Sequence, residues 1–493
     1  MMRDVSKLLV ANIVLSLLVA GFRPAVPAVA TAQDPCADRP EVFRVAGMLP
    51  GTAAVTCFSG YINNNPGQPP DPNGPVVALI DVRDPFSKGA VLGRNYPAPM
   101  YHNLMPNPTN NPADQWIARN LGQVFGVTLD DAEPPNIYVT ATTVYGRFAF
   151  GLGGPGAVYR LDGRTGRISV FAQLPNTGPA LGNITYDHTN QQFFVSNFED
   201  GKIYRIRDVG GTGSIRSSFD PFNPDDGTAG FAPLGERLWG VGVFRNRLYF
   251  SVWREDKMRL AANAANEVWS VGLTASGNFD SSTLRREFAA PELLANNGLG
   301  LGYSNPISDI TFSPNEPRML IAERSRTTGL DTGTLLPRGS DAHESRVIEY
   351  VLQNDRWVRS QANFFVGNHP GRCSNFALPV CDPGRHTNAA GGASYDCLGD
   401  VWVTGDALRF EEPIAFNAPP LGRQDIYVYG LQWTPGSGNG PNDTDPLTPG
   451  FQPAPNAVAL TSIFIDLNCQ FTKDDKVQIG DVVVYNIQCL CDP

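Results

Sequence analysis

A degenerate repeat is the feature of this sequence that most restricts its fold. Each copy opens with a small or polar residue followed by alternating apolar positions, and a second apolar run follows it. Most copies add a third run, such as 157–161 or 202–206. The opening blocks stand at 126–130, 183–187, 240–244, 309–313 and 392–396. Their spacing is even at first and then widens by insertion. Several short strands per repeat are typical of β-propeller blades.

Stretches near both ends of the chain complete this pattern. Residues 75–81 look like outer strands without an inner one, and 425–432 and 457–466 look like the end of the last repeat. Strands from both termini in one blade would close the ring and remove its open edge. We therefore predict an all-β propeller over residues 75–467 with six blades. Seven blades are the alternative, and a pair of β-sandwiches, which lack a period, is the second.

Composition agrees with this fold class. The chain has 50 Gly and 42 Pro and only 17% charged residues, which suits short strands and tight turns better than helical bundles. The net charge is -10 and no basic run occurs. The chain therefore lacks the electrostatic means to grip nucleic acid or an anionic membrane.

The N-terminus has the form of an export signal. Arg3 and Lys7 precede an apolar run over 8–21, and a small-residue tail ends in Ala30-Thr31-Ala32. We predict a signal peptide over residues 1–32, cleaved after Ala32, then a loop-rich segment over 33–74. An uncleaved anchor is the alternative, but the apolar run falls short of the ~20 residues that span a bilayer. The expected product is a soluble monomer that is secreted or periplasmic, without a transmembrane segment.

Cysteines support an oxidising compartment. An even number in an exported chain predicts disulfides rather than a metal cluster. The expected pairs are Cys36 with Cys57, two of the three cysteines between 373 and 397, and Cys469 with Cys489 or Cys491. Residues 468–493 would then form a disulfide-pinned tail. The eight cysteines are Cys36, Cys57, Cys373, Cys381, Cys397, Cys469, Cys489 and Cys491.

Two phrases resemble blades of a known group. SNFEDGKIYRI at 196–206 and GAVYRLDGRTGRISVFAQLP at 156–175 are similar to secreted six-bladed propellers of the NHL-repeat and senescence-marker/gluconolactonase-like superfamily. The resemblance covers roughly 75–467, and its motifs mark strands and turns rather than a reaction. Lactonase-like members hold a central divalent ion, so the resemblance implies Asn183 and Asp309 as Ca²⁺ ligands. The family's ligating Glu has no match here, because Gly126 occupies the comparable place.

Propeller geometry selects further site candidates. Inner strands start beside the central channel, and the links between second and third strands return to the same face, where binding residues usually lie. Asn197, Trp253, Arg324 and Asp406 are thus candidate ligand-contacting residues, and Asp309 and Glu323 are candidate catalytic residues. The alternative is structural: Asn183 and Asp309 cap strand ends through backbone N–H groups, and Trp253 and Arg324 pack within blades.

Two functions follow, and whether the protein is an enzyme stays open. The first is a binding or scaffold module for a glycan, a peptide or a surface protein outside the cytoplasm. The second is a Ca²⁺-dependent hydrolase of lactones or esters, with the metal polarising the carbonyl and Asp309 or Glu323 as base. The chain has only five His and no nucleophile elbow, which favours binding.

Overall fold

Six four-stranded antiparallel sheets build the protein, as seen in a computed structural model. The prediction of a six-bladed propeller is confirmed, as is the fold implied by the family resemblance. The structure describes residues 48–62, 68–103, 111–145, 150–177, 181–222, 232–254, 265–291, 305–325, 345–367, 387–406, 408, 428–439, 461–467 and 479–486. Residues 1–32, the predicted signal peptide, lie outside these ranges.

Each of the first five blades is a continuous meander of four strands. Blade 1 contains β4 (Val124–Leu129), β5 (Ile137–Ala141), β6 (Ala157–Leu161) and β7 (Ile168–Gln173). Blade 2 contains β8 (Leu181–Asp187), β9 (Gln192–Asn197), β10 (Lys202–Val209) and β11 (Thr212–Phe219). Blade 3 contains β12 (Leu238–Phe244), β13 (Arg247–Val252), β14 (Glu267–Leu273) and β15 (Phe279–Ala289). Blade 4 contains β16 (Ile307–Phe312), β17 (Arg318–Glu323), β18 (Val347–Gln353) and β19 (Arg356–Phe364). Blade 5 contains β20 (Ala389–Tyr395), β21 (Val401–Gly405), β22 (Gly430–Thr434) and β23 (Ile463–Asp466).

Blade 6 joins the two ends of the chain. Its outer strands are β1 (Thr52–Cys57), β2 (Val77–Asp81) and β3 (Met100–Tyr101), and its inner strand is β24 (Ile479–Val484). β24 pairs antiparallel with β1, with Ala53 opposite Val484. The propeller therefore extends beyond the predicted limits of 75 and 467 at both ends, and part of the predicted tail is its closing strand. Within the predicted end of the last repeat, Ile463–Asp466 forms β23, the fourth strand of blade 5.

Helix is almost absent from the described ranges. A 3₁₀ turn over Pro112–Asp114 and a single α-helical turn, α1 (Ala118–Leu121), connect blade 6 to blade 1. Neither is long or apolar enough to cross a membrane.

The predicted disulfide between Cys36 and Cys57 is wrong. Cys57 carries a free thiol, because β1 lies between β24 and β2 and turns Sγ into the apolar core of blade 6. The thiol donates to the Pro75 carbonyl at 3.4 Å, and burial raises its pKa to about 12. The Cys397 Sγ lies 3.4 Å from Asn486 Oδ1. The disulfide-pinned tail is thus not supported, and Cys36, Cys373, Cys381, Cys469, Cys489 and Cys491 lie outside the described residues.

The six inner strands, β4, β8, β12, β16, β20 and β24, pack against one another in cyclic order. Each pairs with its neighbouring strand through an irregular register near the channel, as between Leu181 and Ile184 or between Leu238 and Val241. Such a β-bulge leaves an inner-strand N–H without its ladder partner. A buried N–H in this situation needs another acceptor.

Side-chain hydroxyls on the adjoining strands supply that acceptor. Ser251 Oγ accepts from Gly240 N at 2.8 Å, and Thr56 Oγ1 accepts from Asp481 N at 2.7 Å. The same hydroxyls donate to the next blade, Ser251 to Ile307 O at 2.6 Å and Thr56 to Phe125 O at 2.5 Å. We call this set the hydroxyl belt; its members are Thr56, Thr140, Ser196, Ser251 and Thr404.

Blade 4 has no hydroxyl at the belt position. Ala322 stands opposite Asp309 on β17, where the other blades place a hydroxyl. Ser308 compensates from the inner strand, because its Oγ donates to Gly391 O of blade 5 at 2.9 Å. The link between blades 4 and 5 is thus kept by a different residue.

The hydroxyl belt predicts that removal of a single hydroxyl group destabilises the protein. Ser251→Ala leaves the Gly240 N–H and the Ile307 carbonyl buried without this partner, so we expect a loss of about 2–3 kcal/mol in the free energy of unfolding. Ser218→Ala, on the exposed part of β11, is the matched control and should change stability by less than about 0.5 kcal/mol. Equilibrium denaturation measures both. Equal stability of the two variants would contradict the role of the belt.

Candidate functional site

Three polar side chains meet at the axis of the ring. Asn183, Asp309 and Asp481 each occupy the third position of an inner strand, on β8, β16 and β24. Asn183 Nδ2 donates to Asp309 Oδ1 at 3.0 Å and to Ser308 O at 3.1 Å, and it also bonds Asp481. We call these three residues the axial cluster. The sequence correctly predicts that Asn183 and Asp309 converge, and the structure adds Asp481.

Glycines at the other three inner strands make room for this cluster. Gly126, Gly240 and Gly392 alternate with the polar residues around the ring. A Cβ on Gly126 would lie 2.5 Å from Asn183 Oδ1, and one on Gly392 would lie 2.7 Å from Asp481 Oδ1. A side chain at these positions would therefore displace the axial cluster. Glycine at Gly126 and Gly392 is thus required by packing.

Backbone groups hold both axial carboxylates. Asp309 Oδ2 accepts from Ala393 N at 3.1 Å, and Asp481 accepts from Val127 N at 3.1 Å and Val482 N at 2.8 Å. Ile184 N donates to Asn183 Oδ1 at 2.6 Å. Each inner strand thus fixes its own polar residue or that of its neighbour, as the structural alternative predicts.

Burial raises the pKa values of both carboxyl groups in the axial cluster. Burial raises the pKa of Asp309 to about 7, although the N–H groups of Ala393 and Ile310 and the Asn183 amide oppose the change. Burial also raises the pKa of Asp481 well above its usual range, and the nearby Asp309 charge raises it further. Two carboxylates so deep in the protein require a proton or a cation.

The oxygen atoms of the cluster fit Ca²⁺ by type, since carboxylate and amide oxygens are its usual ligands. The Asn183 amide, however, directs its nitrogen toward Asp309. That donation favours the charged form of the Asp309 carboxyl and presents a nitrogen, which is not a Ca²⁺ ligand, to its Oδ1. A cation would need the amide oxygen in its place.

An aromatic cluster surrounds Arg324 beside the axis. The guanidinium carbon lies 4.1 Å from the centroid of the Tyr145 ring, 5.1 Å from that of Phe58 and 5.4 Å from that of Phe125. Arg324 Nη1 also donates to Ile479 O at 2.6 Å and to Ala390 O. The sequence predicts a ligand contact for Arg324, whereas here its fully buried guanidinium joins blade 4 to blade 5 and to the closing strand.

Glu323 forms a buried ion pair instead of standing free as a base. Arg346 Nε donates to Glu323 Oε2 at 2.7 Å, Arg346 N donates to the same oxygen at 3.1 Å, and Arg346 Nη2 donates to Oε1. The Glu323 side chain is 0% exposed and that of Arg346 is 3% exposed. Both carboxylate oxygens are therefore occupied by the protein itself.

The remaining candidates also contact protein groups. Asn197 Nδ2 donates to Pro175 O in the link between β7 and β8 at 2.6 Å, and Asn197 Oδ1 accepts from Glu199 N in the turn after β9 at 3.1 Å. Trp253 is buried and packs edge-on against Trp239, with centroids 5.9 Å apart, so it offers no open stacking surface. Asp406 is buried near Arg324, whose charge it helps to stabilise, and its N–H donates to Asn388 O at 2.8 Å. The described contacts therefore engage each of these residues with the protein itself.

Asp481 is the site residue that sequence reasoning missed. Its local sequence, Gly480-Asp481-Val482, has the same form as Gly182-Asn183-Ile184 and Ser308-Asp309-Ile310. A small residue, an Asn or Asp, and a β-branched residue thus mark the inner strands of alternate blades. The pattern at 480–482 lies within residues 468–493, which the sequence analysis assigns to a disulfide-pinned tail and not to an inner strand.

Comparison with known proteins adds likeness of fold only. No protein-family model matches the chain, and no curated protein matches it. A solved nidogen/laminin complex resembles it at 9% identity with a TM-score of 0.37, over 89% of this chain and 99% of the other. A putative 6-phosphogluconolactonase from Bacteroides uniformis resembles it at 10% identity with a TM-score of 0.36, over 82% and 80% of the two chains. A protein from Lactobacillus plantarum does so at 10% identity and 0.36, over 78% and 99%. Similarity this low carries no argument about function.

Glu323 allows a direct test of its structural role. Glu323→Gln leaves the Arg346 charge buried without its counter-ion, so we expect a loss of about 3 kcal/mol in the free energy of unfolding. Glu316→Gln is the matched control, since Glu316 pairs with Arg318 at the surface and should cost less than about 1 kcal/mol. Denaturant titration compares them. A Glu323→Gln protein as stable as the control would restore Glu323 as a candidate base.

The axial cluster predicts a pH dependence of stability. Because the pKa of Asp309 is about 7 when folded and 3.8 in the unfolded reference, the folded protein binds the extra proton between these values. Its stabilising contribution is full below pH 3.8 and is lost as the pH rises through 7. Asp309→Asn should therefore lose less stability than wild type between pH 5 and pH 8, in denaturation at both values.

The control for this experiment is Asp355→Asn, which removes an exposed carboxylate and should follow wild type. Asp481, Asn183 and Arg324 are the groups that act on Asp309 or its partner, and all remain in both variants. An Asp309→Asn protein with the full wild-type loss of stability would contradict protonation of this carboxyl.

Proposed function

We propose that this protein is an exported propeller that acts as a binding or scaffold module for a glycan, a peptide or a surface protein outside the cytoplasm. One observation supports this choice over catalysis. Glu323, a candidate base, is buried, and Arg346 engages both of its carboxylate oxygens. Residues engaged in this way build a rigid scaffold.

The ring supports a scaffold role for a second reason. Belt hydroxyls and the Arg324 guanidinium connect neighbouring blades through buried hydrogen bonds. A body fixed in this way can present surface loops in a constant geometry, which lowers the entropic cost of ordering a binding surface. The net charge of -10 and the predicted signal over residues 1–32 support a partner outside the cytoplasm that is not nucleic acid.

The second candidate is the Ca²⁺-dependent lactone or ester hydrolase, and the axial cluster is the observation that favours it. Asn183, Asp309 and Asp481 would hold the ion, which would offset the charge of the two buried carboxylates. A bound divalent ion polarises a substrate carbonyl and lowers the pKa of a bound water. Binding ranks first because the Asn183 amide donates to Asp309 and because Glu323 is engaged by Arg346.

One experiment separates the two candidates. The protein is assayed for binding to arrays of glycans, peptides and surface proteins, and for hydrolysis of lactones and esters with Ca²⁺ or with chelator. We expect saturable binding without turnover, and a melting temperature that Ca²⁺ and chelator leave unchanged. Hydrolysis that chelator abolishes, and that Asp309→Asn loses while Asp355→Asn keeps, would overturn the proposal in favour of the hydrolase.

A further inference from the structure

Three arginines of blade 2 gather at its junction with blade 3. Arg205 and Arg207 stand two residues apart on β10, so their side chains project from the same face of the sheet. Arg216 is the extra residue of a β-bulge on β11, opposite Arg205 and Ile206. We call these three residues the arginine cluster. None of them belongs to the axial cluster or to the other candidate residues described above.

Neutral groups hold two of the three guanidinium groups in place. Arg205 Nη1 donates to Gln192 Oε1 at 3.2 Å and to Ser276 O at 3.3 Å. Arg205 Nε donates to Ser217 Oγ at 3.2 Å. Arg207 Nη2 donates to the same Ser276 carbonyl at 3.2 Å, so the two guanidinium groups lie side by side at the turn between β14 and β15. These acceptors orient the guanidinium groups but carry no negative charge that would neutralise them.

No carboxylate forms an ion pair with the arginine cluster within the described part of the chain. Asp208 follows Arg207 on β10 but lies on the opposite face of the strand, where its charge acts on Tyr138 of blade 1. Arg205 is only 8% exposed. Burial lowers its pKa, and the nearby charges of Arg207 and Arg216 lower it further. Like charges this close, on a buried group, are unfavourable until an anion offsets them.

One carboxylate stands behind Gln192. Asp187 Oδ2 accepts from Gln192 Nε2 at 3.0 Å and from Asn190 Nδ2 at 2.7 Å, and Asp187 Oδ1 accepts from Thr189 N at 3.1 Å. The Gln192 amide therefore lies between Asp187 and Arg205. Asp187 offsets at most one of the three positive charges, which leaves about two for a ligand.

We propose that the arginine cluster binds a phosphate group at the junction of blades 2 and 3. Guanidinium groups bind phosphate oxygens through paired, charge-assisted hydrogen bonds. Arg216 is exposed and makes no hydrogen bond with the described residues, so its donors are available to a ligand. A phosphate monoester carries a charge of about -1.5 to -2 at pH 7, which matches the charge that the cluster leaves unbalanced.

The size of the cluster limits its ligand. Three charges suit a single phosphate group, whereas a nucleic acid would need a longer basic surface. The proposal goes beyond the proposed function, because it assigns a ligand group to a surface outside the candidate residues. It holds whether or not a glycan, peptide or protein partner is found, so the two can fail separately.

Inorganic phosphate is the probe for the first test. Calorimetric titration of the full chain with phosphate is compared with acetate, which carries one charge, at constant ionic strength so that screening is equal. We expect saturable binding of phosphate and binding of acetate that is at least about tenfold weaker. Glycerol 3-phosphate forms a second arm: tighter binding than inorganic phosphate indicates an organic phosphate as the source, and equal or weaker binding indicates the free ion.

Variants locate the binding. Arg207→Gln with Arg216→Gln should weaken phosphate binding about tenfold, since it removes two of the charges. Arg167→Gln with Arg356→Gln removes two exposed arginines of blades 1 and 4 and should bind as wild type does.

Arg216→Gln alone guards against a folding defect, because it removes an exposed group without described hydrogen bonds, and it should weaken phosphate binding about threefold. The proposal is overturned if phosphate binds no better than acetate, or if the variants of the arginine cluster bind phosphate as well as the control does.

Discussion

In five of the six blades, an inner-strand N–H donates to a hydroxyl on the adjoining strand, and the propeller depends on this interaction. A β-bulge at that point turns one residue of each inner strand toward the axis and leaves a buried N–H without its ladder partner. A side-chain acceptor offsets the cost of burying that N–H. Because four of the belt hydroxyls also donate to the following blade, the same atoms that permit the bulge connect the ring. The same hydroxyls therefore stabilise the bulge within a blade and the contact between neighbouring blades of the ring.

The contents of the axis follow from that geometry. Six inner strands bring six residues close together, and six side chains of ordinary size would not fit. Alternation of Gly126, Gly240 and Gly392 with Asn183, Asp309 and Asp481 solves the packing problem, since each glycine backbone lies where a Cβ would contact its polar neighbour. The polar residues then take their donors from the strands beside them. The same arrangement serves a purely structural cluster, which holds a proton, and a binding site, which holds a cation. The protonation state of Asp309 therefore distinguishes the two.

The fold could be predicted from the sequence because each blade repeats short strands and turns of the same form. Sequence reasoning also placed Asn183 and Asp309 together, since both open inner strands. It failed at the two ends of the chain: β24 lies only a few residues from the C-terminus and pairs with β1, a contact between residues such as Val484 and Ala53 that no local pattern reveals. For the same reason Asp481 was missed and Cys57 was expected to form a disulfide, although β24 and β2 enclose β1 in the core.

The candidate side chains show why exposure cannot be deduced from position along a strand. Glu323, Arg324 and Trp253 all stand at strand ends on the expected face, yet Arg346, three aromatic rings and Trp239 cover them. The covering residues come from elsewhere in the chain, so the sequence around each candidate does not disclose them. In a propeller, the junctions between blades therefore hold chemistry that a repeat-by-repeat analysis does not reach.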